Sequence, residues 1–152
     1  MAPLNAYLTL IGLETLPLRM RQHMKNAELV ANFLKNHSKV NYVSWAGFKE
    51  NIYHELAKKY FKDGFGSVFT FSLKSGYEGA MQLVENCNLI SHLANVGDTR
   101  SLIVHPASTT HRQLSNEQKE KSGVGDSIIR LSIGLESHKD IIADLEGALS
   151  TI

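Results

Sequence analysis

The chain has one cysteine, Cys87, three prolines and one tryptophan in 152 residues. A lone cysteine forms no internal disulfide and builds no thiolate metal site, which fits a reducing compartment. Nowhere does the sequence reach the roughly 18 consecutive apolar residues that a membrane span needs. The N-terminus lacks the basic segment followed by an apolar one that marks a secretory signal. Sixteen Lys and Arg stand against fifteen Asp and Glu, leaving +1. Without a Lys/Arg run, the electrostatic footprint of a binder of nucleic acid or anionic membrane is missing. The expectation is a soluble, cytoplasmic protein with neither nucleic acid nor membrane as a partner.

What is present is ordinary globular composition: 43% hydrophobic and 20% charged residues, enough apolar chain to bury about two-thirds of the unfolded surface around a single core. Leu4, Tyr7, Leu8 and Ile11 repeat at helical spacing, Pro17 interrupts, and Met20, Met24, Ala27, Ala31 and Leu34 resume the stripe. This predicts one helix over residues 1–37, kinked near Pro17. At roughly 35 residues it is about three times the average globular helix, long enough to bridge two bodies. Residues 38–152 form the domain proper. Val40 to Phe48 reads as a strand running into a loop, Ile52 to Phe61 as a short helix, and Ser67 to Leu73 as a strand by its clean alternation. Ala80, Leu83, Val84 and Cys87 mark a helix, while Leu89 to Asn95 and Ser101 to Val104 read as two strands. Ser115 and Gln118 predict a capping box opening a short helix that Gly123 closes. Ile128 to Ile133 is the last strand. Ser137, with Asp140 three residues on, caps a final helix with Ile141, Ile142, Leu145, Ala148 and Leu149 on its buried stripe. Strands alternating with helices give an α/β fold, or an α+β-like one, in which helices cover a sheet.

Most chemistries fail on the residues. His54-Glu55 needs a histidine at position 58 for a zinc-binding helix and finds Lys58. His105 and His111 are too isolated for a metal site. Neither Gly64-Phe65-Gly66 nor Gly123-Val124-Gly125 extends to a dinucleotide fingerprint. Cys87, on an apolar helical stripe, reads as a small buried hydrophobe. His105-Pro106 ends a strand in extended backbone and closes an edge, and Ser108-Thr109-Thr110-His111 has the composition of a polar loop. Arg130 is the informative residue. Alternation puts Ile129, Leu131 and Ile133 on one face of a strand and Arg130 with Ser132 on the other. A sheet-borne arginine needs a partner: either an internal Asp or Glu, or a bound carboxylate or phosphate that its planar fork takes in bidentate fashion.

The run from Asn95 to His111 (NVGDTRSLIVHPASTTH), followed by Ile129-Arg130-Leu131-Ser132-Ile133-Gly134-Leu135-Glu136, resembles the C-terminal part of the Cys/Met-metabolism pyridoxal-phosphate enzymes. Asn5-Ala6-Tyr7-Leu8, Gly12-Leu13-Glu14-Thr15-Leu16, the segment Tyr53 to Phe61, and Gly64-Phe65-Gly66 are most similar to the O-acetylhomoserine sulfhydrylases among them. The resemblance runs from Pro3 to Leu149.

It implies the small C-terminal domain of the aspartate-aminotransferase-like fold, with a mostly antiparallel sheet and the long helix leading in from a large domain that this chain lacks. The implied reaction is γ-replacement, in which O-acetylhomoserine loses acetate and gains sulfide to give homocysteine, with pyridoxal 5'-phosphate as cofactor. Arg130 matches the family arginine that holds the substrate α-carboxylate, and Ser101 a position lining the pocket beside it. His105, Thr110 and His111 match the motif as residues that shape the loop. The family's Schiff-base lysine has no counterpart among the eleven lysines, so the chain alone is expected to be inactive and to be a fragment of a homo-oligomeric, amino-acid-binding enzyme. Other expectations stand beside this one: a cystathionine or methionine γ-lyase or a cystathionine γ-synthase within the family, and outside it a standalone α/β binding or subunit-interaction module that keeps Arg130 for a carboxylate.

Overall fold

The computed structural model describes residues 1–95 and 97–152; Val96 of the Asn95–His111 run lies outside the described residues. The elements, in chain order, are α1 (Pro3–Glu14), α2 (Leu16–Lys35), β1 (Val40–Ser44), α3 (His54–Tyr60), β2 (Val68–Leu73), α4 (Gly76–Asn86), β3 (Ser91–His92), β4 (Leu102–Val104), α5 (Asn116–Lys121), β5 (Ile128–Ser132) and α6 (His138–Ser150). The strands form one sheet in the order β1-β2-β5-β4-β3, antiparallel except for the β3–β4 pair at one edge. This is the small α/β domain with a mostly antiparallel sheet that the resemblance implies.

Period-two alternation decides the two faces of the sheet. Phe69, Phe71 and Leu73 of β2 and Ile129 and Leu131 of β5, continued by Ile133 just beyond its end, turn to one side. There they pack on Ala27, Val30, Ala31 and Leu34 of α2, Ala80, Leu83 and Val84 of α4, and Ile141, Leu145 and Leu149 of α6. Three amphipathic helices thus lie on one face, each burying its apolar stripe, and this apolar burial is the main drive to fold. Ile142, expected in that stripe, is only half-buried at its margin.

The long helix breaks at Thr15. Pro17 lacks an amide hydrogen and its ring crowds the preceding turn, so α1 ends and α2 restarts with Pro17 in its first turn. The Arg19 guanidinium donates across the break to the Gly12 carbonyl. The stripe predicted for the first segment does not become a buried face: α1 buries none of its residues, and Leu4, Tyr7, Leu8 and Leu10 are each more than half exposed.

The capping box is present as read. Ser115 Oγ accepts from the Gln118 amide and Gln118 Oε1 accepts from the Ser115 amide, while Gly123 ends the segment at φ +71°. Four expectations are corrected. Ser137 opens α6 without a side-chain cap, its carbonyl instead accepting from Asp140 and Ile141. Cys87 lies just past the end of α4. The strand expected over Leu89–Asn95 shrinks to Ser91–His92. His105-Pro106 ends β4 but closes no edge, because β4 runs between β5 and β3.

Candidate functional site

Arg130 sits midway along β5, facing away from the helices, with Thr70 of β2 and Val104 of β4 as its cross-strand neighbours. It is half-buried, and among the described residues it enters no ion pair. The internal salt bridge open to it on sequence grounds is therefore absent there. Its guanidinium donates to the Asn95 carbonyl at 3.4 Å, and the two residues line a narrow, closely packed depression with Leu93, Leu102, Val104 and Ser132. A guanidinium carries five donors in a planar fork, so one long bond to a carbonyl leaves this group equipped for a carboxylate. Beside the depression and sharing Ser132, a cavity of about 510 Å³ opens between Met20 and His23 of α2, Phe61, Val68 and the Gly97–Asp98 segment.

The residues that follow Asn95 are organised by their own polar groups. Asp98 accepts from the Arg100 amide at 3.0 Å, from the Arg100 guanidinium at 3.3 and 3.2 Å, and from Asn95 Nδ2 at 3.3 Å. The bonded Arg100 side chain, then its amide, hold the Asp98 carboxyl well below the usual carboxylate range. Ser101, expected at the pocket wall, is fully buried. Its hydroxyl donates to Glu136 Oε2 at 2.9 Å and accepts from the Gly134 amide at 2.8 Å, and its own amide donates to Glu136 Oε1 at 2.6 Å. Both functions of the hydroxyl are engaged inside the protein.

Three residues near the site escape sequence reasoning: Asn95, Glu136 and Asn26. Asn95 and Glu136 stand at the two ends of the recognised runs, where their polar side chains carried no assigned role. Asn26 is a fully buried asparagine in the helical segment read for its apolar stripe, and its Nδ2 donates to the carbonyls of Gly134 at 2.9 Å and Glu136 at 2.8 Å.

The remaining motif residues lie in the loop after β4. His105 is 1% exposed. Its Nε2 donates to the Asp126 carbonyl at 2.8 Å, its Nδ1 lies 2.9 Å from Ser108 Oγ, and its ring meets Tyr77 edge-on. Thr109 Oγ1 donates back to the His105 carbonyl at 2.7 Å, and Thr110 Oγ1 pairs with His111 Nδ1 at 2.8 Å. These bonds shape the loop and leave His105 engaged at both nitrogens. Burial, the largest influence, pushes the His105 imidazole below its ordinary value against the opposing pull of the Asp126 carbonyl. The unfolded chain, with a histidine near the ordinary value of roughly 6.5, therefore binds the proton more readily than the folded one. The stability tied to neutral His105 is complete above that pH and is lost as the pH falls below it. The urea midpoint is expected to drop between pH 7.5 and 5.5, and His105→Gln is expected to flatten that dependence; an unchanged slope in the variant would remove His105 as its source.

Cys87 packs against the core, and burial pushes its thiol up to about 12, with the Asp144 charge adding to the effect. It is not a nucleophile near neutral pH. No metal-binding group of His, Cys, Asp or Glu occurs among the described residues, and no helix among them is long and apolar enough to cross a membrane.

The family model described as Cys/Met metabolism PLP-dependent enzyme matches residues 1–150. O-acetyl-L-homoserine sulfhydrylase 1 of Thermus thermophilus is 46% identical over 150 residues, which are 99% of this chain and 36% of that protein. L-methionine gamma-lyase of Fusobacterium nucleatum subsp. polymorphum is 43% identical over 152 residues, 100% of this chain and 38% of the relative. Among solved structures, a Campylobacter jejuni protein described as a putative O-acetylhomoserine (thiol)-lyase, with a pyridoxyl-lysine monophosphate, superposes with a TM-score of 0.91 at 48% identity. That match covers 99% of this chain and 36% of the other. The chain thus spans little more than a third of the length of the relatives it matches.

Proposed function

The chain belongs to the Cys/Met-metabolism PLP-dependent enzymes, and on that premise we propose that the full-length protein catalyses γ-replacement on O-acetylhomoserine with sulfide, this chain supplying the arginine that holds the substrate carboxylate. The observation that carries the reading is Arg130, half-buried on the sheet with no counter-charge among the described residues and facing Asn95. A carboxylate docked on its fork and on the polar groups of the Asn95 segment would be held in two places, which fixes how the α-carbon is presented. Ser101 serves this site indirectly, since its hydroxyl is already engaged by Glu136 and Gly134. His105, Thr110 and His111 shape the loop behind it.

The family works with pyridoxal 5'-phosphate, which when bound supplies an electron sink for chemistry at the α- and β-carbons. The residues here do not fit the cofactor itself. No lysine lines the depression at Arg130 or the adjoining cavity, so no amine stands there for its aldehyde, and we assign its attachment to a large domain outside this chain. The α1 and α2 helices then lead in from that domain, α2 packed into the core here and the exposed apolar side chains of α1 as contact surface, in a homo-oligomer.

The sulfhydrylase reading is supported by relatives of that name at 45 to 46% identity; a lyase reading is supported by the methionine gamma-lyases at 43%. Assay of the full-length, cofactor-loaded protein separates them. Homocysteine formed from O-acetyl-L-homoserine and sulfide, with little 2-oxobutanoate released from methionine, is the expected result. Elimination from methionine without replacement moves the assignment to a lyase. Carboxylate binding with no turnover on either substrate leaves the binding module.

A further inference from the structure

We propose that Glu136 is a positioning residue for the Arg130 site, a latch whose carboxylate holds Ser101 and, through Arg100 and Asp98, the Asn95 that faces the guanidinium. The inference rests on the reading of Arg130 given above and adds the device that keeps the two sides of the site in register. Among the described residues Glu136 makes no hydrogen bond or ion pair with Arg130. Its two carboxylate oxygens accept from the amide and the hydroxyl of the fully buried Ser101, at 2.6 and 2.9 Å. Such charge-assisted bonds are stronger than neutral ones. The contact continues as a short zipper, because the Gly134 amide donates to Ser101 Oγ at 2.8 Å and the Leu135 amide to the Thr99 carbonyl at 2.8 Å. The fit is close: a Cβ at Gly134 would collide with the Glu136 carboxylate and with the backbone of Arg100 and Ser101.

The latch has a fixed base. The turn from Ile133 to Glu136 continues directly from β5, the strand that carries Arg130, and α2 grips it from the core side. Asn26 donates to the carbonyls of Gly134 and Glu136, and His23 Nδ1 donates to the Ile133 carbonyl at 2.6 Å. One stretch of chain therefore bears the guanidinium at one end and the clasp for the opposing segment at the other. From Ser101 the constraint passes back through Arg100 and Asp98 to Asn95. Releasing the clasp leaves Arg130 on its strand but frees the wall opposite it. Misplacement of about 1 Å in such a wall costs up to about 100-fold.

The test uses the full-length protein. Glu136→Ala is expected to raise the KM for the amino-acid substrate about 10- to 100-fold, with a smaller change in kcat. The cofactor absorbance band is expected to be retained. On an Arg130→Ala background the same change is expected to add little further, since both act on one contact; independent, multiplying effects would overturn the proposal. Glu136→Gln keeps an oxygen for the Ser101 amide and is expected to restore most of the KM, so a Gln variant as impaired as Ala would count against the latch. Amide exchange in the cofactor-free protein gives a readout apart from activity. Residues 97–101 are expected to exchange faster in Glu136→Ala while 129–132 remain protected, and unchanged exchange at 97–101 would overturn the proposal. If Glu136→Ala does not fold, Ser101→Ala carries the same two measurements, with a smaller KM rise expected. A KM indifferent to Arg130→Ala refutes the functional reading alone, because the exchange result still decides whether Glu136 holds the segment.

Discussion

Replacing Arg130 with alanine in the full-length protein is expected to raise the substrate KM by about 30- to 1,000-fold, equivalent to about 2–4 kcal/mol, while the cofactor absorbance stays intact. The size follows from what truncation leaves behind. A carboxylate brought to this half-buried position would lose the guanidinium and find no other cation lining the depression, whose remaining side chains are Leu93, Asn95, Leu102, Val104 and Ser132. Fold and contact separate cleanly here, because the side chain projects from a strand whose ladder to Thr70 and Val104 is made by backbone alone. Arg130→Lys is expected to recover only part of the loss, since an ammonium keeps the charge without the planar fork. Unaltered kinetics in the alanine variant would sink the assignment.

The largest expected loss of stability lies on the other side of the same sheet. Phe71 is fully buried, pairs across strands with Val43 and Ile129, and is among the largest buried side chains of the core. Truncation to alanine removes its transfer free energy and leaves a cavity between the sheet and its helices, and is expected to cost about 3–5 kcal/mol. The urea midpoint of the full-length protein should fall accordingly; a shift of less than about 1 kcal/mol would mean that the helices close over the gap.

How much of this could be read from sequence depends on the range of the interaction. The alternation around Arg130, the capping box at Ser115 and the interruption near Pro17 are local: each is settled by residues within a few positions, and each is present in the fold, the interruption as a break at Thr15 into two helices rather than a kink within one. Burial of a helical face needs a second body, so the spacing of Leu4, Tyr7, Leu8 and Ile11 defined a stripe but not what covers it. The bonds that organise the site are of a third kind. Asn26 meets Gly134 across 108 residues and Ser101 meets Glu136 across 35. No periodicity records such pairs, which is why the carboxylate of Glu136 carried no assigned role. The placement of β4 away from the sheet edge was hidden for the same reason, since strand order is a long-range property.

The position of β5 in the sheet has a consequence for how substrate preference could change over time. Flanked by β2 on one side and β4 on the other, this strand opens only with the whole sheet, among the slowest events in a domain. Its arginine is thus a stationary reference point, clasped to its neighbours through Glu136, while the rim of the adjoining cavity is the adjustable wall. Substitutions that retune the site for a longer or bulkier amino acid have room to accumulate on that rim, with the carboxylate grip left as it is.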